Sequence, residues 1–335
     1  MPPATLNPSP SPPIIFIGGS GRSGTNITKE LLGRHPQVAT LPFEYRFIID
    51  PDGLVDFYRS YPAVWTPYLA DRRLKRLEKL LNDLAGESVW QRLAGRFLRR
   101  LNRDGKIISP RRYHGWQLDK HFPGFSQHSA ELIAQLRAFS FPACWVGTES
   151  YQFRPQLYHA GPLSQPELAG ILGNFIGRVI QSYLDRHDKQ FFVEDNTWNI
   201  LVAQELLELA PQAKILHVYR DPRDVVASLV RQRWSPPNVE QAAIWYRDMM
   251  AHWFKVRANL LPGSFLEFSL ESLVNDAETT VRQICHFSSL PFDPVLLQTD
   301  LSRSRSGRWQ YDLSPAEQRT VLGILGNFIE QLGYA

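Results

Sequence analysis

The run Gly18-Gly19-Ser20-Gly21-Arg22-Ser23-Gly24-Thr25 has the residue types that suit an anion. Glycines let a backbone come close to a phosphate, successive N–H groups can point inward, and a helix starting near Thr25 would add its positive end. The flanks fit this picture. Ile14 to Ile17 reads as a buried parallel strand, and Ile27, Leu31 and Leu32 recur at a helical period. From Gly19 to Gly24 the run nearly matches the nucleotide-binding pattern G-x-x-x-x-G-K-[ST], but Thr25 stands where the lysine belongs. Arg22 is the only cation in the loop. The loop therefore predicts a phosphate ester rather than the γ-phosphate of Mg-ATP; the plainer alternative is a glycine turn between strand and helix.

A second motif follows another strand-like run, Lys214 to Tyr219. In Arg220-Asp221-Pro222-Arg223, Asp221 can cap a helix whose first position is Pro222, and Ser228 falls two turns further on. If both strands end on one edge of a parallel sheet, the Arg220 guanidinium and the Ser228 hydroxyl could hold a second phosphate near the first. Alone, this stretch also reads as a capped helix with a surface ion pair.

Together the two motifs resemble the PAPS-dependent sulfotransferases (PAPS is 3′-phosphoadenosine 5′-phosphosulfate), most nearly the protein-tyrosine and bacterial branch. The resemblance implies that Arg22, Ser23, Gly24 and Thr25, with Gly21 and Asn26, bind the 5′-phosphosulfate, and that Arg220 and Ser228 bind the 3′-phosphate. Arg34-His35-Pro36-Gln37-Val38 and the stretch Phe265 to Pro291 are similar to family segments. So is the C-terminal Ser306-Gly307-Arg308-Trp309, followed by Leu313-Ser314-Pro315 and a helix ending at Leu332-Gly333-Tyr334. That segment resembles the cofactor-covering loop and implies phosphate contacts from Arg303, Arg305 and above all Arg308, with Trp309 in the lid. The resemblance covers residues 14–48 and 190–335.

Sulfuryl transfer needs in-line positioning, neutralisation of the departing phosphate and a base for the acceptor. The transferred group carries less charge than a phosphoryl group, so no metal is expected. Arg22 and the loop N–H groups are expected to stabilise the leaving phosphate. Glu44-Tyr45-Arg46 lies near the place where the protein-tyrosine sulfotransferases carry their catalytic glutamate, which implies Glu44 as base and Arg46 as its orienting or acceptor-binding partner. A structural Glu–Arg pair is the alternative. His35, His114 and His121 are the other candidate bases, with a helix C-cap as the rival role for His35. Many relatives carry Lys-Thr-Pro after the strand matching Phe191–Glu194, whereas this chain reads Glu194-Asp195-Asn196-Thr197. Lys29 or Lys120 is then expected to supply the cation, and Asp195 and Asn196 either bind acceptor hydroxyls or cap a helix.

These groups need a scaffold. Strands alternating with helices predict a parallel sheet flanked by helices in three layers, P-loop-like, with a largely helical insertion. The segments expected to be helical are 52–106, 129–138, 164–187, 199–209 and 238–260, with a loop over 107–128. Residues 1–13 read as a disordered leader, 14–335 as the sulfotransferase domain, and 49–150 as the insertion that recognises the acceptor. Trp116, Trp145, Trp198 and Trp309 could stack on a sugar or on adenine; core packing is the alternative for the first three.

The chain has 335 residues, 43% of them hydrophobic, which is enough for a sizeable core. Two cysteines, Cys144 and Cys285, make no disulfide framework or metal spacing. With no signal-like or membrane-length apolar segment, a reducing, cytoplasmic setting is expected. The net charge of +4 is modest, but Arg72-Arg73-Leu74-Lys75-Arg76 and the span 92–103 are basic. Either they form a solvated helix face or the basic 72–103 helices meet an anionic polymer or membrane surface. No nucleic-acid module accompanies them. The expected function is sulfuryl transfer from PAPS to a hydroxyl or amine of a carbohydrate or small metabolite, with a peptide tyrosine next. The rivals are a P-loop kinase and a non-catalytic nucleotide-binding protein.

Overall fold

The computed structural model describes residues 11–86, 93, 112–113, 115–148, 155–302 and 306–334. They fall into two compact units, one of Pro12–Glu44, Asp188–Leu207 and Pro211–Ala335, the other of Tyr45–His187 and Glu208–Ala210.

The first unit is built on five parallel strands, β1 (Ile14–Gly19), β2 (Val38–Thr40), β5 (Phe191–Glu194), β6 (Lys214–Tyr219) and β7 (Phe265–Ser269), in the order β2-β5-β1-β6-β7. Side chains alternate across a strand, and here both faces are covered, so β1 reads as unbroken apolar sequence. Ile15 and Ile17 join Leu31, Val193, Leu216, Val218, Val281 and Ile284 in a core beneath one face. Ile14 and Phe16 are equally buried on the other. That second face carries His217, edge-on to the buried Trp253 ring at 5.0 Å. Glu267, its cross-strand neighbour, accepts hydrogen bonds from His217 Nδ1, Trp253 Nε1 and Arg257 Nη1. Burial alone would raise the Glu267 carboxyl, but these partners outweigh it and hold it at about 2.

The helices of this unit are α1 (Thr25–Leu32), α8 (Pro222–Leu229), α9 (Val239–Ala258), α10 (Leu270–Asn275), α11 (Ala277–Ser288), α12 (Trp309–Asp312) and α13 (Pro315–Gln331). Local capping explains several of their starts. Asp221, Asn238, Ser269 and Asp276 each accept a backbone N–H of the turn that follows, and Ser314 with Glu317 closes a full capping box.

The second unit is mostly helical: α2 (Leu54–Ala63), α3 (Pro67–Ala85), α4 (Leu118–His121), α5 (Phe125–Leu136) and α6 (Gln165–His187). Helix α7 (Ala203–Leu209) follows a 3-10 turn over Thr197–Val202. The leucine stripe Leu74, Leu77, Leu80, Leu81 and Leu84 of α3 is fully buried, as its spacing predicts. Basic residues Arg72 and Arg76 of the same helix are exposed, while most of the basic span 92–103 lies outside the described residues, as does the leader up to residue 10.

Four elements differ from expectation, the first being α4, which lies within the stretch 107–128 expected as a loop. The helix expected over 129–138 begins at Phe125, because Phe122 and Phe125 are buried and Gly124 turns left-handed ahead of it. The helix expected from Asn199 begins as the 3-10 turn, because the Asn196 side chain accepts the Trp198 N–H. An antiparallel hairpin of β3 (Phe139–Pro142) and β4 (Gln156–His159) was not anticipated; every residue of β3 is exposed, so no alternation marks it. Among the described residues, no helix is long and apolar enough to cross a membrane.

Candidate active site

β1 ends at Gly19 and the backbone turns through Gly21 at φ 77°, Arg22 at φ 58° and Gly24 at φ 111° before α1 begins at Thr25. Left-handed geometry at a non-glycine residue such as Arg22 costs about 1–2 kcal/mol. The glycines have no alternative. A Cβ on Gly24 would stand 2.8 Å from Leu270, and one on Gly19 would stand 2.7 Å from the Val218 carbonyl. The loop is thus pressed against β6 and the start of α10, with its N–H groups and the α1 dipole left for an anion. Ser23 is fully buried, and its Oγ has no hydrogen-bond partner among the described residues.

The sheet sets β1 beside β6, so the second motif leaves the same edge as the first. Arg22 Nε donates to Ser228 Oγ at 3.0 Å, and Arg220 Nη2 pairs with Asp224 at 3.1 Å. Asp224, which is buried, also accepts the backbone N–H groups of Gly307 at 2.8 Å and Trp309 at 2.9 Å. One carboxylate therefore orients Arg220 and fastens the C-terminal loop. Arg223 reinforces the fastening: its guanidinium lies 4.4 Å over the Trp309 ring and donates to the Tyr334 carbonyl. Arg308 and Arg231 share Asp312, at 3.1 and 3.0 Å. Arg303 and Arg305 lie outside the described residues.

Two cavities open here. One, of about 500 Å³, runs along α1 from Arg22, Gly24 and Thr25 past Asn26 and Glu30, with Arg220, Leu270 and Asp300 opposite. The other, of about 220 Å³, is walled by Arg22, Arg220, Ser228, Arg231, Gln232 and Arg308, with Asp224 and Asp312. Arg22 and Arg220 line both. Four arginines against two aspartates make the smaller cavity cationic. Arg231, Gln232 and Asp224 were not anticipated, although Asp224 sits one helical turn after Arg220, the spacing at which helix side chains meet.

A third cluster forms where β5 ends. Lys29 of α1 reaches Asp195, which is buried, at 2.8 Å. Glu194 is buried and hydrogen-bonded by Asn199 Nδ2, which also donates to the Ile17 carbonyl at 3.0 Å. Burial pushes the Glu194 carboxyl up to about 8; the Asn199 amide and the Asn196 backbone oppose this, while the charges of Asp195 and Glu44 add to it. Glu44 is therefore close enough to act on Glu194. Asn196 spends its side chain on the Trp198 N–H.

Arg46, in the other unit, pairs with Asp50 at 3.7 Å. Lys120 lies in that unit too, on α4, and its carbonyl accepts from Arg186. His35 is no helix C-cap, a place taken by Gly33. Its ring is buried between the Pro291 carbonyl and the Gln37 N–H. His121 is half-buried, and desolvation with neighbouring cations lowers its pKa; His114 lies outside the described residues. Trp116 packs edge-on to Tyr113, and Trp145 donates to the buried Asp71, whereas Trp198 is exposed.

The fold is α/β, with a parallel sheet flanked by helices, a glycine-rich loop at the end of β1 and a cationic cavity beside it. The sequence matches the Sulfotransferase family over residues 13–294, and the chain belongs to that family. It is similar to the sulfotransferase domain of the Synechococcus PCC 7002 olefin synthase, at 20% identity over 97% of this chain and 96% of that one, with a TM-score of 0.46. A sulfotransferase domain from the curacin biosynthetic pathway matches at 16% identity over 98% and 99%, with a TM-score of 0.48. A sulfotransferase from Mycobacterium tuberculosis matches at 14% identity over 94% and 78%, with a TM-score of 0.43. An uncharacterized protein of Aquifex aeolicus is 25% identical over 104 residues, and that match spans 28% of this chain and 13% of the relative's length.

The raised Glu194 carboxyl has a signed consequence for stability. A folded-state pKa above the unfolded value favours folding at low pH, where the group is neutral in both states, and the advantage is lost as pH rises. The window runs from the ordinary carboxyl value of 4.5 to about 8. Glu194→Gln, neutral throughout, should come close to the wild type in urea denaturation at pH 4, below the window, and exceed it at pH 8.5. Parallel stability–pH curves for the two proteins would show that Glu194 ionises freely in the fold.

Proposed function

We propose that this chain is a PAPS-dependent sulfotransferase acting on a hydroxyl of a carbohydrate or small hydroxylated metabolite. The observation that carries the reading is the pair of adjoining cavities with Arg22 and Arg220 common to both. A nucleoside with phosphates on its 3′ and 5′ positions has the matching outline: one phosphate over the loop, one in the arginine cavity, the base along α1. The orphaned Ser23 hydroxyl and the left-handed glycine cradle fit the same ligand. When bound, PAPS supplies the sulfuryl group that passes to the acceptor oxygen, and 3′,5′-diphosphoadenosine remains.

On this reading Gly21, Arg22, Ser23, Gly24, Thr25 and Asn26 hold the 5′ end, and Arg22 with the loop N–H groups neutralises the charge that grows on its phosphate. Arg220, Ser228 and Arg308 hold the 3′-phosphate, and Trp309 anchors the covering loop through Asp224. Glu44 takes the acceptor proton, from a position where its charge acts on Glu194. Lys29 is the cation that stands in for the absent lysine, held in place by Asp195 rather than carried at that position. Asp195 then serves the site through Lys29, and Asn196 through the turn it caps; Arg46 is assigned to the acceptor.

Arg220→Ala should weaken 3′,5′-diphosphoadenosine by about 2–3 kcal/mol, the worth of charge-assisted hydrogen bonds. Adenosine 5′-phosphosulfate, which lacks the 3′-phosphate, should bind almost as before. Equal losses for both ligands in calorimetry would show that Arg220 acts through folding. Glu44→Gln should lower turnover by about 10²–10⁴, the usual share of a general base, and remove the acidic limb of the pH–rate profile. Cofactor affinity should hold. Activity within a few-fold of wild type, with the limb intact, would end the Glu44 assignment.

A further inference from the structure

Trp234 is 52% exposed, although burying an indole is strongly favourable. Its place is built rather than incidental. The ring edge rests on the phosphate loop: a Cβ on Gly21 would stand 2.9 Å from Trp234 Cη2 and 3.5 Å from Thr197 Cγ2. Only glycine at position 21 leaves room for that contact. Trp245 meets the Trp234 ring edge-on at 5.8 Å. The segment carrying Trp234 is tied back to α8, where the Leu229 carbonyl accepts the Gln232 N–H at 2.8 Å and the Ser235 hydroxyl at 2.5 Å. Pro236 and Pro237 then stiffen the exit.

The indole lines neither cofactor cavity. It meets the loop at Gly21 together with Thr197, which follows β5 and the Glu194, Asp195 and Lys29 cluster. The α1 groove is lined from the same loop by Arg22, Gly24 and Thr25, with Leu270, and not by Gly21 or Thr197. A half-exposed indole packed on the loop at Gly21 and lining neither cavity suits a partner with a flat apolar face of its own. A pyranose ring has such a face and carries hydroxyls around its rim.

We propose that Trp234 is the stacking platform for the acceptor and selects acceptors that present a pyranose ring. This rests on the sulfotransferase reading and names the substrate class of the same site.

The test uses the full chain saturated with 3′,5′-diphosphoadenosine and a panel of methyl pyranosides, followed by saturation-transfer NMR and tryptophan emission, with glycerol as the acyclic control. Wild type and Trp234→Phe should bind at least one pyranoside. Trp234→Ala should lose about tenfold or more in that affinity, the scale of a lost ring contact. Glycerol should show no saturation transfer with any of the three, and diphosphate affinity should be the same in all. The proposal is overturned if Trp234→Ala binds the pyranoside as wild type does, or if wild type binds the diphosphate but no pyranoside. Failure of wild type to bind the diphosphate would overturn the sulfotransferase reading instead, and this inference with it.

Discussion

The site depends on one backbone constraint: between the end of β1 and the start of α1 the chain must turn left-handed three times, with packing on both sides. Gly18 and Gly19 have no space for a side chain against Ile200 and the Val218 carbonyl, and Gly24 has none against Leu270. Those contacts come from the 3-10 turn after β5, from β6 and from α10. The phosphate loop is therefore moulded by three later segments of the chain. They in turn are aligned by register: Phe16 pairs with Glu194, and Gly19 with Val218. The register that aligns the strands is thus also what shapes the loop. The strain at Arg22 is met by this packing and leaves the guanidinium directed at Ser228.

Charge in the site is arranged by three carboxylates, of which Asp224 and Asp195 are buried. Asp224 fixes Arg220 and two N–H groups of the C-terminal loop; Asp195 fixes Lys29; Asp312 gathers Arg231 and Arg308. A buried carboxylate deprived of its partner is costly, so Arg220 and Lys29 are confined to a narrow range of positions. This arrangement bears on the missing lysine after β5. At the end of the same strand the chain holds Lys29 of α1 against Asp195, a neutral ion pair in place of a lone cation.

Much of this was legible in the sequence. The strand–loop–helix form of the two motifs could be read because it is local: glycines, an arginine and a capped helix start carry their meaning within a few residues. The apolar strands and the α3 leucine stripe were legible for the same reason. What stayed hidden depends on distant partners. Asp224 reads as an ordinary helix acid until Gly307 and Trp309 arrive above it. Glu194 reads as a strand-end carboxylate until burial raises it. Trp234 lies in a loop whose residue types suggest nothing, and its role rests on a glycine more than two hundred positions away. The hairpin β3–β4 escaped because neither of its faces is buried in a regular alternation.

The central claim is a nucleotide site built for two separate phosphates without a Walker lysine. Isothermal titration of the full chain with 3′,5′-diphosphoadenosine and with ATP, each with and without magnesium, tests it directly. The account predicts much tighter binding of the diphosphate, unchanged by magnesium. Equal or tighter binding of ATP, strengthened by magnesium, would contradict it.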